Sequence, residues 1–275
     1  MSARRRAWMR PPDASFAAAL GQRPGAPPID VSRAQAQHRL VADALRAAGA
    51  EVTLLPPAPG HPDACFVQDV ALVLPELSIL GRPAEPSRQG EVALFRPHLP
   101  PDRPTASIEP PGTLEWGDVL RVGQTLYVGQ SARTNAAGTA QLAALVAPLG
   151  LVVEPLPVLR GLHLLSGLSY LGRGPAAPEG PDVLVAWPEY AGLPAFAGMD
   201  VVVTPPEEEG AANCLALGAT VIVPAGHHRT AAAIWHRGFR VLAVPIGEFA
   251  KADGGVTCLS VVEATDLEAV GSGVT

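Results

Sequence analysis

The chain has 275 residues, 48% of them hydrophobic and 17% charged, which is enough apolar content for a folded core and too much for a disordered tail. Its net charge is -6 and no long basic run follows Arg4-Arg5-Arg6, which argues against a nucleic-acid partner. Cys65, Cys214 and Cys258 are too few and too scattered for a disulfide framework or a structural zinc site, and with no apolar run of membrane-helix length and no apolar leader behind the basic opening residues the chain is expected to be cytoplasmic.

This length suits one catalytic domain over 1–275, with the residues after about 265 reading as a loose tail. RRRAWMR reads as a short strand that stops before Pro11-Pro12. DASFAAAL predicts a brief helical turn capped by Asp13 or Ser15, and GQRPGAPP a loop. The spacing then predicts a helix over roughly Asp30 to Ala48, capped by Asp30 and ended by Gly49. Its partial apolar face is Val31, Leu40, Val41, Ala44 and Leu45. EVTLLPP is the next strand, and a helix feeding a strand places the chain in the α/β class.

The middle of the chain echoes itself. FVQDVALVLPELSILGRP carries Asp69 and then two short β-rich stretches; EWGDVLRVGQTLYVGQS repeats this around Asp118 at an offset of 49 residues. Val70 then falls over Val119, Val73 over Val122, Leu77 over Leu126 and Ile79 over Val128. A third copy, ANCLALGATVIVPAG, sets Leu215 over Leu120, Gly218 over Gly123, Thr220 over Thr125 and Val223 over Val128. HLLSGLSYLGRG followed by DVLVAW is a fourth, partial copy, and TCLSVVEA is the last. The unit is strand, glycine-containing turn, strand, helix, strand, and about five fit in the chain. If the units close in a ring, Asp69, Asp118, His163, Asn213 and Cys258, each near the start of a unit, line one central pocket.

Three features could carry chemistry. Cys258 follows Gly254 and Gly255, which let backbone approach a ligand closely. A free cysteine is either a small buried hydrophobe or a nucleophile; Cys214 reads as core, and Cys65 as core or pocket wall. His163 lies between apolar residues and needs a second group to be functional. Glu115 could supply it, since a carboxylate orients an imidazole and raises its pKa. A thiol beside an imidazolium is an activated nucleophile. Asp63 and Asp69 with Arg88 and Arg133 give two carboxylates and two guanidinium groups, the set that a zwitterionic substrate with a cationic end requires.

In PDACFVQD (62–69), PSRQGE (86–91), GTLEWGDVLRVGQTLYVG (112–129), SARTNAAG (131–138), LHLLS (162–166), AANCLALG (211–218) and KADGGVTCLS (251–260), the chain resembles the dimethylarginine dimethylaminohydrolases. These belong to the guanidino-group-modifying, arginine deiminase-like superfamily, and the likeness runs over nearly the whole chain. The resemblance implies a five-bladed α/β propeller of ββαβ units with pseudo-fivefold symmetry, the pentein fold. It implies that Cys258 attacks a guanidinium carbon, that His163 protonates the departing amine and later helps deliver water, and that Glu115 holds the protonated His163. Asp69 would grip the guanidinium nitrogens, with Gln68 beside it. Asp63 would meet the substrate α-ammonium, Arg88 and Arg133 its α-carboxylate, and Leu20 would belong to a lid. The products would be citrulline and dimethylamine or methylamine, formed through a thiouronium intermediate with no metal or organic cofactor. The partner expected is a small molecule, not nucleic acid or membrane, and a homodimer is compatible with this reading.

Three positions depart from the family pattern. Gln68 stands where the family has glutamate, which removes a negative charge beside Asp69. Trp116 replaces the first of two glycines; it is a poor substitute if a positive φ is needed there, and otherwise its indole narrows the pocket or stacks on a planar cation. Leu165 replaces a lysine, and no aspartate stands two residues after His163 to pair with an unmethylated guanidinium. The resemblance therefore points to N-methylated arginines. The alternatives are another guanidino or amidino compound, or a weakly active protein that binds modified arginines.

Overall fold

The expected unit of two strands, a helix and a third strand recurs five times in the computed structural model, which describes residues 5–264 apart from 23, 24 and 26. The anticipated tail after about 265 and part of the loop before the first helix lie outside the described residues. The chain opens with β1 (Arg6–Met9), α1 (Val31–Ala47) and β2 (Glu51–Leu54). Next come β3 (Ala71–Val73), β4 (Ser78–Leu80), α2 (Gln89–Phe95) and β5 (Thr105–Ser107). Then follow β6 (Val119–Val122), β7 (Thr125–Gln130), α3 (Ala136–Val146) and β8 (Val152–Pro157). The fourth group is β9 (Leu168–Arg173), β10 (Asp182–Ala186), α4 (Pro188–Ala191) and β11 (Asp200–Val203). The last is β12 (Leu215–Leu217), β13 (Thr220–Pro224), α5 (His228–Trp235) and β14 (Arg240–Val244), followed by α6 (Gly247–Ala250) and β15 (Val261–Val262).

Each group makes one three-stranded sheet, and the pairing is the same throughout. The first two strands are antiparallel across a tight turn, and the second and third are parallel across a helix. The group that begins the chain lacks a preceding hairpin strand. β15 supplies it, pairing antiparallel with β1 through Ala7↔Val262 and Trp8↔Val261. The ends of the described chain thus close a ring of five sheets, the α/β propeller of the pentein fold, without a free first blade.

The echo between the third and fifth groups holds residue for residue. Leu120 pairs with Tyr127 as Leu215 pairs with Ile222, and both turns start on a left-handed glycine, Gly123 (φ 57) and Gly218 (φ 59). The echo of the second group needs a correction beyond its first strand. Val73 pairs with Ser78 across four turn residues, whereas Val122 pairs with Thr125 across two. Ile79 therefore matches Leu126, not Val128, because the longer turn shifts the second strand by two residues, which keeps the same side chains on the same face.

α1 starts at Asp30, whose side chain accepts the Arg33 N–H, as expected. Its buried stripe is Ala34, Gln37, His38, Val41, Ala42, Ala44 and Leu45, which packs on Met9, Phe16 and Phe249. Leu40, placed on the apolar face from the sequence, is 48% exposed. It lies about 100° around the helix from Val41, just beyond the edge of the buried stripe formed by Gln37 and Ala44. The Gln37 side chain is satisfied by accepting the Glu248 N–H at 2.9 Å. Among the described residues, no helix is long and apolar enough to cross a membrane.

Candidate active site

Four short 3-10 turns, each leading into the first strand of a sheet, deliver the chemical groups. Val67–Val70 carries Asp69, Trp116–Asp118 follows Glu115, Leu164–Ser166 follows His163, and Thr257–Leu259 carries Cys258. Because the strands that follow belong to different blades, residues far apart in sequence meet. His163 Nε2 lies 2.8 Å from Glu115 Oε2, and both side chains are buried. Asp69 Oδ1 accepts the Gly117 N–H at 3.2 Å. Gly117 is required here: an added Cβ would sit 2.6 Å from His163 Nδ1 and 2.9 Å from Asp69 Oδ1.

Not every polar residue at a unit start faces the cavity. Asp69, His163 and Cys258 line it; Asp118 does not. Asp118 Oδ1 accepts the Leu164 N–H at 3.0 Å and its Oδ2 accepts the Ser131 hydroxyl at 2.6 Å. Asn213 Oδ1 accepts the Thr257 N–H at 3.0 Å, and its Nδ2 donates to the Leu165 carbonyl at 2.9 Å. With Asp69 holding Gly117, three side chains thus tie the start of one blade to the start of the next. The repeated polar position is a stitch between blades, and only some copies also serve a site.

The first cavity, about 30 Å³, has room for little more than a water molecule. Leu20, Asp63, Asp69, Arg88, Arg133 and Cys258 are among its walls. The Leu20 N–H donates to both Asp63 carboxylate oxygens, at 3.1 and 3.3 Å, while the Leu20 side chain stays 48% exposed. Glu115 lies behind His163. Gln68 is not a wall of the cavity, and its Oε1 is buried without a hydrogen-bond partner among the described residues. Trp116 is not a wall either. Its backbone is helical, so no positive φ was needed, and its indole is buried with Ile79, Leu114, Leu126 and Leu142. It neither narrows the cavity nor stacks in it.

Arg88 is buried and turned inward. Its Nη1 lies 2.8 Å from Asp69 Oδ2 and 3.5 Å from Glu115 Oε2, while Nε and Nη2 fork onto Glu91 at 3.1 and 2.9 Å. Arg133 Nη1 lies 3.6 Å from Glu115 Oε1. Asp69, Glu115 and His163 each bring one possible metal ligand within 4.8 Å of the others. The Arg88 guanidinium already sits against both carboxylates, so this cluster is dressed for a planar cation. Glu91 was not singled out from the sequence. Its signal is the Arg-x-x-Glu spacing of Arg88 and Glu91, one turn apart at the start of α2. Asp253, the one non-glycine residue with a left-handed backbone among the described residues, also lines the cavity.

The electrostatics follow from burial and crowding. Burial alone would depress His163, but Asp69, the Glu115 hydrogen bond and the charges of Asp118 and Glu115 outweigh it and hold the imidazole up at about 8. Burial pushes the Cys258 thiol up to about 11, and Asp69 adds to this; the Gly255 N–H, 3.4 Å from Sγ, opposes it. Burial raises Asp69 as well, but the charges of His163 and Arg88 more than reverse it and keep the carboxylate ionised. Burial lifts Glu91 to about 7 against the pull of Arg88. The other two thiols are structural: Cys65 and Cys214 are buried in separate cores, and burial raises both, Cys214 to about 12.

A second cavity, about 610 Å³, shares only Leu162, His163, Asp253 and Cys258 with the first. Leu165 is one of its walls.

No protein-family model matches the chain. It is similar to the N(G),N(G)-dimethylarginine dimethylaminohydrolase of Pseudomonas aeruginosa, 37% identical over 233 residues that cover 84% of this chain and 89% of the relative. Among solved structures, it superposes on a dimethylarginine dimethylaminohydrolase adduct with S-methyl-L-thiocitrulline with a TM-score of 0.88 at 34% identity, covering 94% of this chain and 100% of the other. A Pseudomonas aeruginosa enzyme complexed with citrulline gives a TM-score of 0.87, also at 34% identity, over 94% of this chain and 99% of that one.

Proposed function

The chain belongs to the dimethylarginine dimethylaminohydrolase family, and on that footing we propose that it hydrolyses N-methylated arginines to citrulline and methylamine or dimethylamine. The observation that carries the reading is the placement of the Arg88 guanidinium against Asp69 and Glu115, in a cavity that also holds His163 and Cys258. Carboxylates that hold one guanidinium suit another, and the groups that attack and protonate it stand beside them.

In this reading the roles divide as follows. Asp69 takes the substrate guanidinium and aligns its carbon with Cys258. Arg88 yields only Nη1, since Glu91 anchors the rest of its guanidinium. Arg133, with its partly exposed side chain, and Arg88 receive the α-carboxylate. Asp63 receives the α-ammonium in place of the Leu20 N–H that it now holds. Gln68 stands behind Asp69 and adds no charge.

The resting thiol is neutral, and the incoming cation offsets the Asp69 charge that helps keep it so. The thiolate then adds to the guanidinium carbon. His163, still protonated near neutral pH, gives its proton to the leaving nitrogen, and Glu115 steadies the imidazolium. The carbon–nitrogen bond breaks, water adds to the thiouronium carbon, and the carbon–sulfur bond breaks to free citrulline. We further propose that residues 1–275 act as one catalytic unit.

The test is citrulline formation from asymmetric dimethylarginine, monomethylarginine and arginine side by side, with Cys258→Ala as the blank. Turnover of the methylated substrates, lost in the variant, supports the reading. No citrulline from any of the three, in folded protein, overturns it.

A further inference from the structure

We propose that the second cavity is a subsite for the substituent on the departing nitrogen, so that the enzyme also hydrolyses arginines N-substituted with linear alkyl groups longer than methyl. This rests on the reading above and extends its substrate class. The smaller cavity, at about 30 Å³ with the Leu20 N–H on Asp63, is taken up by the amino-acid end and guanidinium once that N–H gives way, and leaves no space for a longer group. The larger one, at about 610 Å³, falls within the 300–1,000 Å³ or so of ordinary ligand pockets.

Position decides which part of a substrate reaches it. The departing nitrogen must lie beside His163, its proton donor, and beside the carbon that Cys258 attacks. His163 and Cys258 belong to the walls of both cavities. With the amino-acid end held at Asp63 and Arg133, a chain on that nitrogen points past them into the larger space.

Part of the lining suits an apolar chain: Leu162, Leu165, Pro224, Ala225, Ile246 and Ala250 form an apolar stretch of a wall that also holds Ser166, Glu209, His227 and Asp253. The Asn213 amide is spent on the Leu165 carbonyl and on Thr257. Beside the thiol the wall is bare backbone at Gly255, where a Cβ would meet the Asn213 side chain at 2.2 Å. Leu165 matters most, since it is apolar where the resemblance would place lysine. A lysine there would set a charge in the path of an alkyl group.

The step balances without a co-reactant. The Cys258 sulfur–carbon bond forms, the carbon–nitrogen bond to the substituted nitrogen breaks, and that nitrogen leaves with the His163 proton as a primary amine. Water then supplies the ureido oxygen and returns the protons.

The experiment compares kcat/KM for Nω-methyl- and Nω-propyl-L-arginine, following both citrulline and amine, in wild type, Ala225→Trp and Leu165→Lys. The expected result is propyl turnover within about tenfold of methyl in wild type, whereas two methylenes without space would cost about a hundredfold or more. Ala225→Trp, at an exposed position of the wall, is expected to cut the propyl-to-methyl ratio at least about tenfold with methyl turnover kept, and Leu165→Lys to act in the same direction. Methyl turnover with propyl more than about tenfold slower in wild type would overturn the inference alone. So would an unchanged ratio in both variants at unchanged Tm. Silence on both substrates would overturn the underlying reading of function as well.

Discussion

Cys258 shows how one residue's chemistry depends on its neighbours. Its thiol is partly buried, raised first by burial and then by the Asp69 carboxylate, and it reaches about 11. In free enzyme, alkylation by iodoacetamide is therefore expected to climb about tenfold per pH unit from 7 to 10, because only the thiolate reacts. A plateau near pH 8.5 would show an ordinary thiol and remove the need for substrate to promote ionisation. Cys65 and Cys214 are buried, so Cys258→Ala is a clean blank. Arg88 makes the complementary point. One guanidinium faces Asp69, Glu91 and Glu115, and a bidentate fork to Glu91 fixes its plane. From sequence, Arg88 is a cation for a substrate carboxylate, with no sign of which protein groups hold it. Its inward turn follows from three buried carboxylates that no local pattern shows to be neighbours.

At the scale of the element, a hairpin is legible wherever its turn is short. The Gly123 and Gly218 turns are alike in length and backbone, and the sequence echo between their sheets transfers without error. The longer turn between β3 and β4 breaks the echo by two residues, since spacing along a chain carries no record of how many residues a turn absorbs. The stitches between blades belong to this scale too. Asp118→Ala leaves the half-buried Ser131 hydroxyl and the buried Leu164 N–H without their carboxylate partner, the latter worth about 1–3 kcal/mol when unsatisfied. A Tm lowered by several degrees is expected, with reduced kcat, because Leu164 directly follows His163. An unchanged Tm would mean that the stitch is dispensable. Asp118 is thus important without touching substrate, which its place in the repeat did not reveal.

At the scale of the whole molecule, the ring is closed by two residues of β15, and the closing segment carries Cys258 just before it. Val261 is 2% exposed and packs with Trp8 and Val73. Val261→Asp places a carboxylate in that core without a partner. It is expected to cost about 3 kcal/mol or more and to abolish activity together with stability. Activity lost with Tm intact would argue that β15 only positions Cys258 and does not hold the ring. Either result is read from thermal unfolding and citrulline assays on the same preparation.

The α/β class, the recurring unit and the count of about five were settled by the sequence, because hydrophobic spacing, glycine turns and helix caps are local. The Asp30 cap, the Gly123 and Gly218 turns and the order of the family motifs belong with them. Tertiary structure alone decided who meets whom. It turned Arg88 onto Asp69, buried Trp116 away from the cavity, left Gln68 outside it and made Asp118 a stitch. It also opened the larger space beside Cys258 and set Leu165 on its wall. Each of these depends on the angle at which one blade follows another around the ring. That angle is set by the packing of whole sheets, and no single stretch of chain contains it.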